Sequence, residues 1–153
     1  MRLILFALSF FLTFAAVSAD PVRDETAANL AKMKFPSDQQ KLLFLGSEIQ
    51  KVEREIVPPK GTPSSVVDRR FGTPKAAVDI GGAIMPNRYD YPLTDDALMD
   101  VIFTNGKVKW ATIIYSSAPK QRRLTNDIKT ALSDWTMLYV SSQVLLKAFK
   151  PRS

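Results

Sequence analysis

The sequence predicts an α+β domain in which two N-terminal helices pack on a three-stranded antiparallel sheet and a long C-terminal helix follows. Three observations carry this. Apolar residues recur at spacings of three and four over residues 38–56 and again over 124–149, the period of a helix buried along one side. Between them, two apolar runs flank Asn105-Gly106, a strong signal for a two-residue hairpin turn. A chain of 153 residues suffices for one such core and is short for two.

Residues 1–19 stand apart. Arg2 precedes an apolar run from Leu3 to Val17, and Val17-Ser18-Ala19 places small residues at the −3 and −1 positions of a cut before Asp20. That is the layout of a secretory leader, and the run is shorter than the ~20 residues of a bilayer span. Export is therefore expected, into a periplasmic or secreted location. The absence of cysteine and of any Asn-x-Ser/Thr site suits a periplasmic protein without disulfides or N-glycans. Without Arg2, 20 basic residues remain against 15 acidic, a net charge of +5, which favours anionic surfaces. After export, nucleic acid is not an expected partner.

The mature chain divides into a polar segment (20–36), a helix-helix-three-strand region (37–117) and a C-terminal helix with a basic tail (118–153). Asp20 to Lys34 is polar and Ala-rich, a loose helix or a tail. Ser37 and Gln40 form the pattern of a capping box. Leu42, Leu45, Ile49, Val52 and Ile56 then make one stripe on a helix of residues 38–56, stopped by Pro58-Pro59. Gly46 weakens its middle by ~1 kcal/mol relative to Ala. Thr62 is placed to cap a second, short helix with Pro63 in its first position. Val66, Val67 and Phe71 give that helix an inner side, and Gly72 ends it. Residues 75–86, with Gly81-Gly82, read as a loop.

Strands are predicted over residues 88–93, 98–104 and 107–115. A tight turn at Asn105-Gly106 sets Phe103 opposite Val108, Val101 opposite Trp110 and Met99 opposite Thr112. One face then collects Met99, Val101, Phe103, Val108, Trp110 and Ile114, the face the two helices are expected to cover. The other face carries Leu98, Asp100, Ile102, Lys109, Ala111, Ile113 and Tyr115. From Leu124 to Phe149 the four-three alternation continues through Trp135, Leu138, Leu145 and Phe149. Only twelve uncharged residues separate Asp134 from Lys147, too few for a span. This helix is expected to cover the mixed sheet face or to pair with another chain.

The reactive inventory is poor. With no His and no Cys, the commonest general base, thiol chemistry and the usual zinc ligands are missing. Asp95-Asp96 lacks the alternation and glycine of a calcium loop and suits a turn. Ser117-Ala118-Pro119-Lys120 has Ser-x-x-Lys spacing, but Pro119 biases Ala118 away from helix and no companion Ser-Asp-Asn or Lys-Thr-Gly follows. No glycine loop for phosphate is present. No cofactor and no metal site is expected.

The segment Gly61 to Pro74, with Gly61, Val67, Phe71, Gly72 and Pro74 at the characteristic spacing, resembles the signature of the SmpA/OmlA family of small envelope proteins. That family includes the BamE subunit of the outer-membrane β-barrel assembly machinery. The tyrosine-rich strand and the hairpin from Val101 to Val108 are also similar to it. The resemblance covers residues 41–115 and implies a helix-helix-three-strand fold, of the kind also seen in secreted β-lactamase inhibitors. It further implies binding to other proteins and, in some members, to anionic lipid, without catalysis. The chain departs from the family in lacking a lipidated cysteine, in Pro63 standing where Ser or Thr is usual, and in its long C-terminal helix.

The expectation is thus a non-enzymatic, exported envelope domain that binds a protein, with outer-membrane assembly as one setting. Its contact residues are expected among Tyr89, Tyr91 and Trp110 on the sheet and Met137, Val140 and Val144 on the C-terminal helix. Lys120, Arg122 and Arg123 are candidates for an anionic lipid surface. Two competing readings are an inhibitor that plugs an enzyme cleft with its hairpin tip or its Tyr89-Tyr91 strand, and a small hydrolase using Asp90, Asp96 and Asp100.

Overall fold

The computed structural model describes residues 20–116 and 127–149. The predicted leader, the Ser117 to Lys120 motif and the basic group Lys120, Arg122 and Arg123 lie outside the described residues. Helices α1 (Pro21–Lys32), α2 (Asp38–Ile56) and α3 (Ser64–Phe71) precede strands β1 (Lys75–Val78), β2 (Ile84–Thr94), β3 (Ala97–Thr104) and β4 (Lys107–Tyr115). Helix α4 (Ile128–Phe149) follows. The four strands form one antiparallel sheet in the order β1-β2-β3-β4.

The first long helix has the predicted bounds. The Ser37 hydroxyl accepts the Gln40 N–H at 3.2 Å, and Leu45, Ile49, Val52 and Ile56 are buried. Helix α3 starts later than the capping pattern suggests. Thr62 does not cap it; its hydroxyl donates to the Pro59 carbonyl at 2.7 Å. Pro63 is extended and bridges to Lys107, so this segment is spent on the edge of β4. Gly72 then ends α3 at φ 87°, a conformation that disfavours side chains with a Cβ.

The sheet has a strand more than predicted. Residues 75–86, read as a loop, contain β1, the β1–β2 turn and the start of β2. The Asp79 carboxylate accepts the Ala83 N–H at 2.9 Å and closes that turn, while Gly82 sits at φ 82°.

The β3–β4 hairpin starts as predicted and then departs. Asn105 and Gly106 both adopt positive φ, as a type I′ turn requires, and Phe103 pairs with Val108. The next pair is Ile102 with Trp110, which leaves Lys109 as an extra residue in β4. This β-bulge shifts the alternation by one, and a one-residue shift exchanges the faces of every following side chain. Val101 therefore pairs with Ala111 and Met99 with Ile113. Ile113 and Tyr115 are buried, whereas Trp110 and Ile114 are exposed. The predicted placement of Trp110 and Ile114 on the packed face is corrected by one inserted lysine.

The inner face, with Tyr91, Met99, Val101, Val108 and Ile113, forms one core with residues of α2, α3 and α4. Helix α4 does not cover the mixed face. It lies alongside α2, the most extensive helix-helix contact in the fold. Gly46 faces the Trp135 ring across this contact, and a Cβ there would stand 3.4 Å from it, within van der Waals distance. Alanine should fit at this position and gain helix propensity, leaving Gly46→Ala within ~1 kcal/mol of the parent. A larger wedge should force α2 and α4 apart, so Gly46→Leu should lose ~1–3 kcal/mol. Chemical denaturation of the two variants checks the pair.

Helix α1 contacts α4 and buries only Leu30 among its residues. Its tie is polar. Asp96, in the β2–β3 turn, accepts from Arg23 of α1, from Ser141 of α4 at 2.5 Å and from Thr94 at 3.0 Å. Burial alone would raise the Asp96 carboxyl; the bonds from Ser141, Arg23 and Thr94 outweigh it and hold the group below the usual carboxylate range. A carboxyl lowered in this way stabilises the fold above its unfolded pKa of about 3.9 and loses that contribution as pH falls through its lower folded value. Asp96→Asn should weaken the same tie at neutral pH by ~1–2 kcal/mol. Amides of α1 should then exchange roughly five- to thirtyfold faster while those of β3 keep their protection.

Candidate functional site

The outer sheet face has no helix over it among the described residues, and its centre is ionic. The register sets Asp90 of β2 opposite Asp100 of β3, and Arg88 opposite Ile102. Asp100 is only 1% exposed. Arg88 reaches it diagonally, with Nε at 2.9 and 3.0 Å from the two carboxylate oxygens and Nη2 on the second. This two-pronged geometry suits a planar guanidinium and carboxylate. It is what makes burial of Asp100 tolerable, since an isolated buried carboxylate is costly.

Asp90 lies beside this pair. Burial, then the neighbouring Asp100 charge, pushes its carboxyl upward, with Arg88 pulling the other way. Its linkage is opposite in sign to that of Asp96. A raised carboxyl favours the fold below its unfolded pKa, and that contribution is lost as pH rises through the folded value.

A cleft of about 370 Å³ opens over these groups, walled by the β1–β2 hairpin. Val78, Ile80, Leu98 and Ile114 supply its apolar rim around Asp79, Arg88, Asp90 and Asp100. Ile80 is fully exposed, and Ile114 and Trp110 remain 45% and 46% exposed on strands whose other sides are buried. A second groove of about 520 Å³ runs between the end of α2 and the edge of β4, with Trp110 in its wall.

The predicted contact residues divide sharply. Trp110 is on the surface, although the regular alternation places it on the packed face. Tyr91 is a correction: it is 1% exposed, and its hydroxyl donates to Asp68 at 2.7 Å. Tyr89 is half-buried, with its ring 5.9 Å from that of Phe103. Of the two tyrosines on this strand, Tyr91 is thus withdrawn from the surface and Tyr89 is partly accessible. Met137, Val140, Ser141 and Val144 recur at helical spacing on one side of α4. Val140 and Ser141 are buried, Val144 is half-buried and Met137 is exposed. Arg23 contacts Ser141 from α1, so this stripe is largely enclosed within the chain.

Of the three carboxylates considered for hydrolysis, Asp90 and Asp100 converge, while Asp96 is tied to Arg23 and Ser141 away from them. Asp100 is committed to Arg88. Among the described residues, no group of three His, Cys, Asp or Glu side chains is placed to hold a metal ion.

No family model, curated protein or solved structure matches the chain. Among the described residues, no helix is long and apolar enough to cross a membrane.

Arg88 is the site residue that the sequence reading missed, and Asp100 was considered only as a hydrolytic carboxylate. In the uninterrupted register Asp100 shares its face with Lys109, which reads as its partner. A strand pairing centred on the Asp95-Asp96 turn would have brought Arg88 to it instead.

Proposed function

We propose that this protein is an exported, periplasmic protein-binding or scaffold domain, acting without catalysis, that docks its partner on the outer face of its sheet. The observation that carries this reading is the exposure of Trp110, Ile114 and Ile80 on the face that holds the half-buried Arg88–Asp100 pair. Apolar area left in water forgoes ~25 cal/mol per Å², and exposed apolar patches rimmed by polar groups mark contact surfaces. A Trp held on a strand is also a suitable anchor, because little conformational freedom is lost when it is covered. The leader-like residues 1–19 and the SmpA/OmlA-like segment Gly61 to Pro74 support the envelope setting, with outer-membrane assembly as the process served.

Affinity capture from an envelope extract with the purified protein and with Ile114→Lys tests the reading. Recovery of a reproducible partner set by the parent, reduced at least about tenfold by the variant, is the expected result. Recovery of nothing reproducible, or equal recovery by both proteins, contradicts it. Turnover of a substrate by the purified protein contradicts it equally.

The inhibitor reading would use the same face through Trp110 and the Asn105-Gly106 tip, now without Tyr91. It differs in requiring tight one-to-one binding to a soluble enzyme.

A further inference from the structure

We infer that the second half of β4 is a strand-addition site, which accepts an extended segment of the protein partner running antiparallel to β4 with an acidic C-terminal end. This rests on the protein-binding reading above and specifies a second contact beside the outer face.

The edge is divided by the bulge. Before it, the edge is closed: the Val108 N–H donates to the Thr62 carbonyl at 2.9 Å, and the Val108 carbonyl accepts the Gly61 N–H at 2.8 Å. Beyond Lys109, the direction of the backbone follows from two facts. The Ser116 N–H points to β3, bonding the Asp96 carbonyl at 2.8 Å. Antiparallel ladders alternate between inward- and outward-pointing residues. Counting back from Ser116 through the regular pairs, Ala111 and Ile113 direct their N–H and C=O groups outward. No strand of the described residues pairs with them, because β4 ends the sheet order. An open edge of this kind is a template for another extended chain.

The groove beside this edge fixes the chemistry of the occupant. Its α2 side brings Arg54, Val57 and Pro58, and its end at the bulge brings Lys60 and Lys109. Lys107 adjoins Lys60 and Lys109 in the neighbouring depression. Three exposed lysines, Lys60, Lys107 and Lys109, thus gather at the N-terminal end of β4, with Arg54 on the α2 side of the groove, against one carboxylate among the described lining residues, Glu53. A strand running antiparallel to β4 ends its chain there, so acidic side chains and a free carboxylate would meet the cations. A parallel strand would bring its N-terminus instead.

The probe is a peptide, acetyl-Thr-Val-Thr-Val-Thr-Val-Asp-Glu with a free carboxylate, titrated into ¹⁵N-labelled protein. A control peptide ends in an amidated Lys-Lys. Saturable amide shifts over residues 109–115, with slowed exchange at Ala111 and Ile113, are the expected result. Lys60→Glu/Lys109→Glu, two exposed changes that leave the core untouched, should weaken binding about tenfold. Ala111→Pro should abolish it by removing an outward N–H. Proline at an edge position whose N–H points away from the ladder keeps the sheet, and the charge-reversed protein provides the same test should that variant misfold. Equal binding of the Lys-ended peptide overturns the inference, as does an unchanged affinity in the charge-reversed protein. Concentration-dependent dimerisation lost in Ala111→Pro would assign the edge to a second copy of the chain and overturn it too. Shifts confined to Ile80 and Ile114 would overturn strand addition while leaving docking on the outer face intact.

Discussion

Replacing Arg88 by Met is expected to destabilise the domain by about 3 kcal/mol, the lower end of the usual loss when one partner of a buried ion pair is removed. The reason is Asp100. Only 1% exposed, it has the guanidinium on both of its oxygens, and a methionine would leave a buried carboxylate with neither charge nor donor. A third of the Arg88 side chain is exposed, so water entering from that side keeps the loss toward the lower end. The double change Arg88→Met/Asp100→Leu removes the uncompensated charge together with its partner. It should return most of the stability or exceed the parent. Urea denaturation of the two single variants and the double variant measures this. A coupling energy near zero would mean that the pair does not govern the sheet centre.

Trp110→Asp separates folding from docking. With Trp110 nearly half exposed on the outer face, the substitution should change stability by less than ~1 kcal/mol. Capture of the partner should drop by a factor of about thirty or more, the cost of losing an aromatic anchor. In the uninterrupted register that the alternation suggests, the same change would bury a carboxylate among Val101 and Met99 and cost several kcal/mol. A melt alone therefore distinguishes the bulged strand from the regular one.

These two residues also mark where sequence reasoning reached its limit. Helix α2 was legible to the residue because its stripe, its Ser37 cap and its prolines agree. The hairpin turn was legible because Asn105-Gly106 admits positive φ at both positions. The bulge was not. Val108, Trp110 and Ile114 alternate as well as Ala111, Ile113 and Tyr115 do, and nothing in the local sequence marks Lys109 as the extra residue. Strand β1 was hidden by its own turn, since Gly81-Gly82 and Pro86 punctuate like a loop while the pairing of Ala76 with Tyr89 is non-local. The side of the sheet chosen by α4 was equally out of reach. It rests on the long-range packing of α4 against α2, where Gly46, which in the sequence read only as a weak point in a helix, faces Trp135. The uncovered outer sheet face emerged from these three features together, and so only Trp110 among the predicted sheet contacts lies on it.

Site-specific photocrosslinking tests the docking face most directly. A benzophenone side chain would be placed in turn at Trp110 and Ile114 on the outer face, and at Leu43, which is 61% exposed on α2. Irradiation of cells producing each protein should yield one shared adduct from the two sheet positions and none from the helix. Adducts arising from Leu43 alone, with both sheet positions silent, would contradict the assignment of the uncovered sheet face as the place where this protein meets its partner.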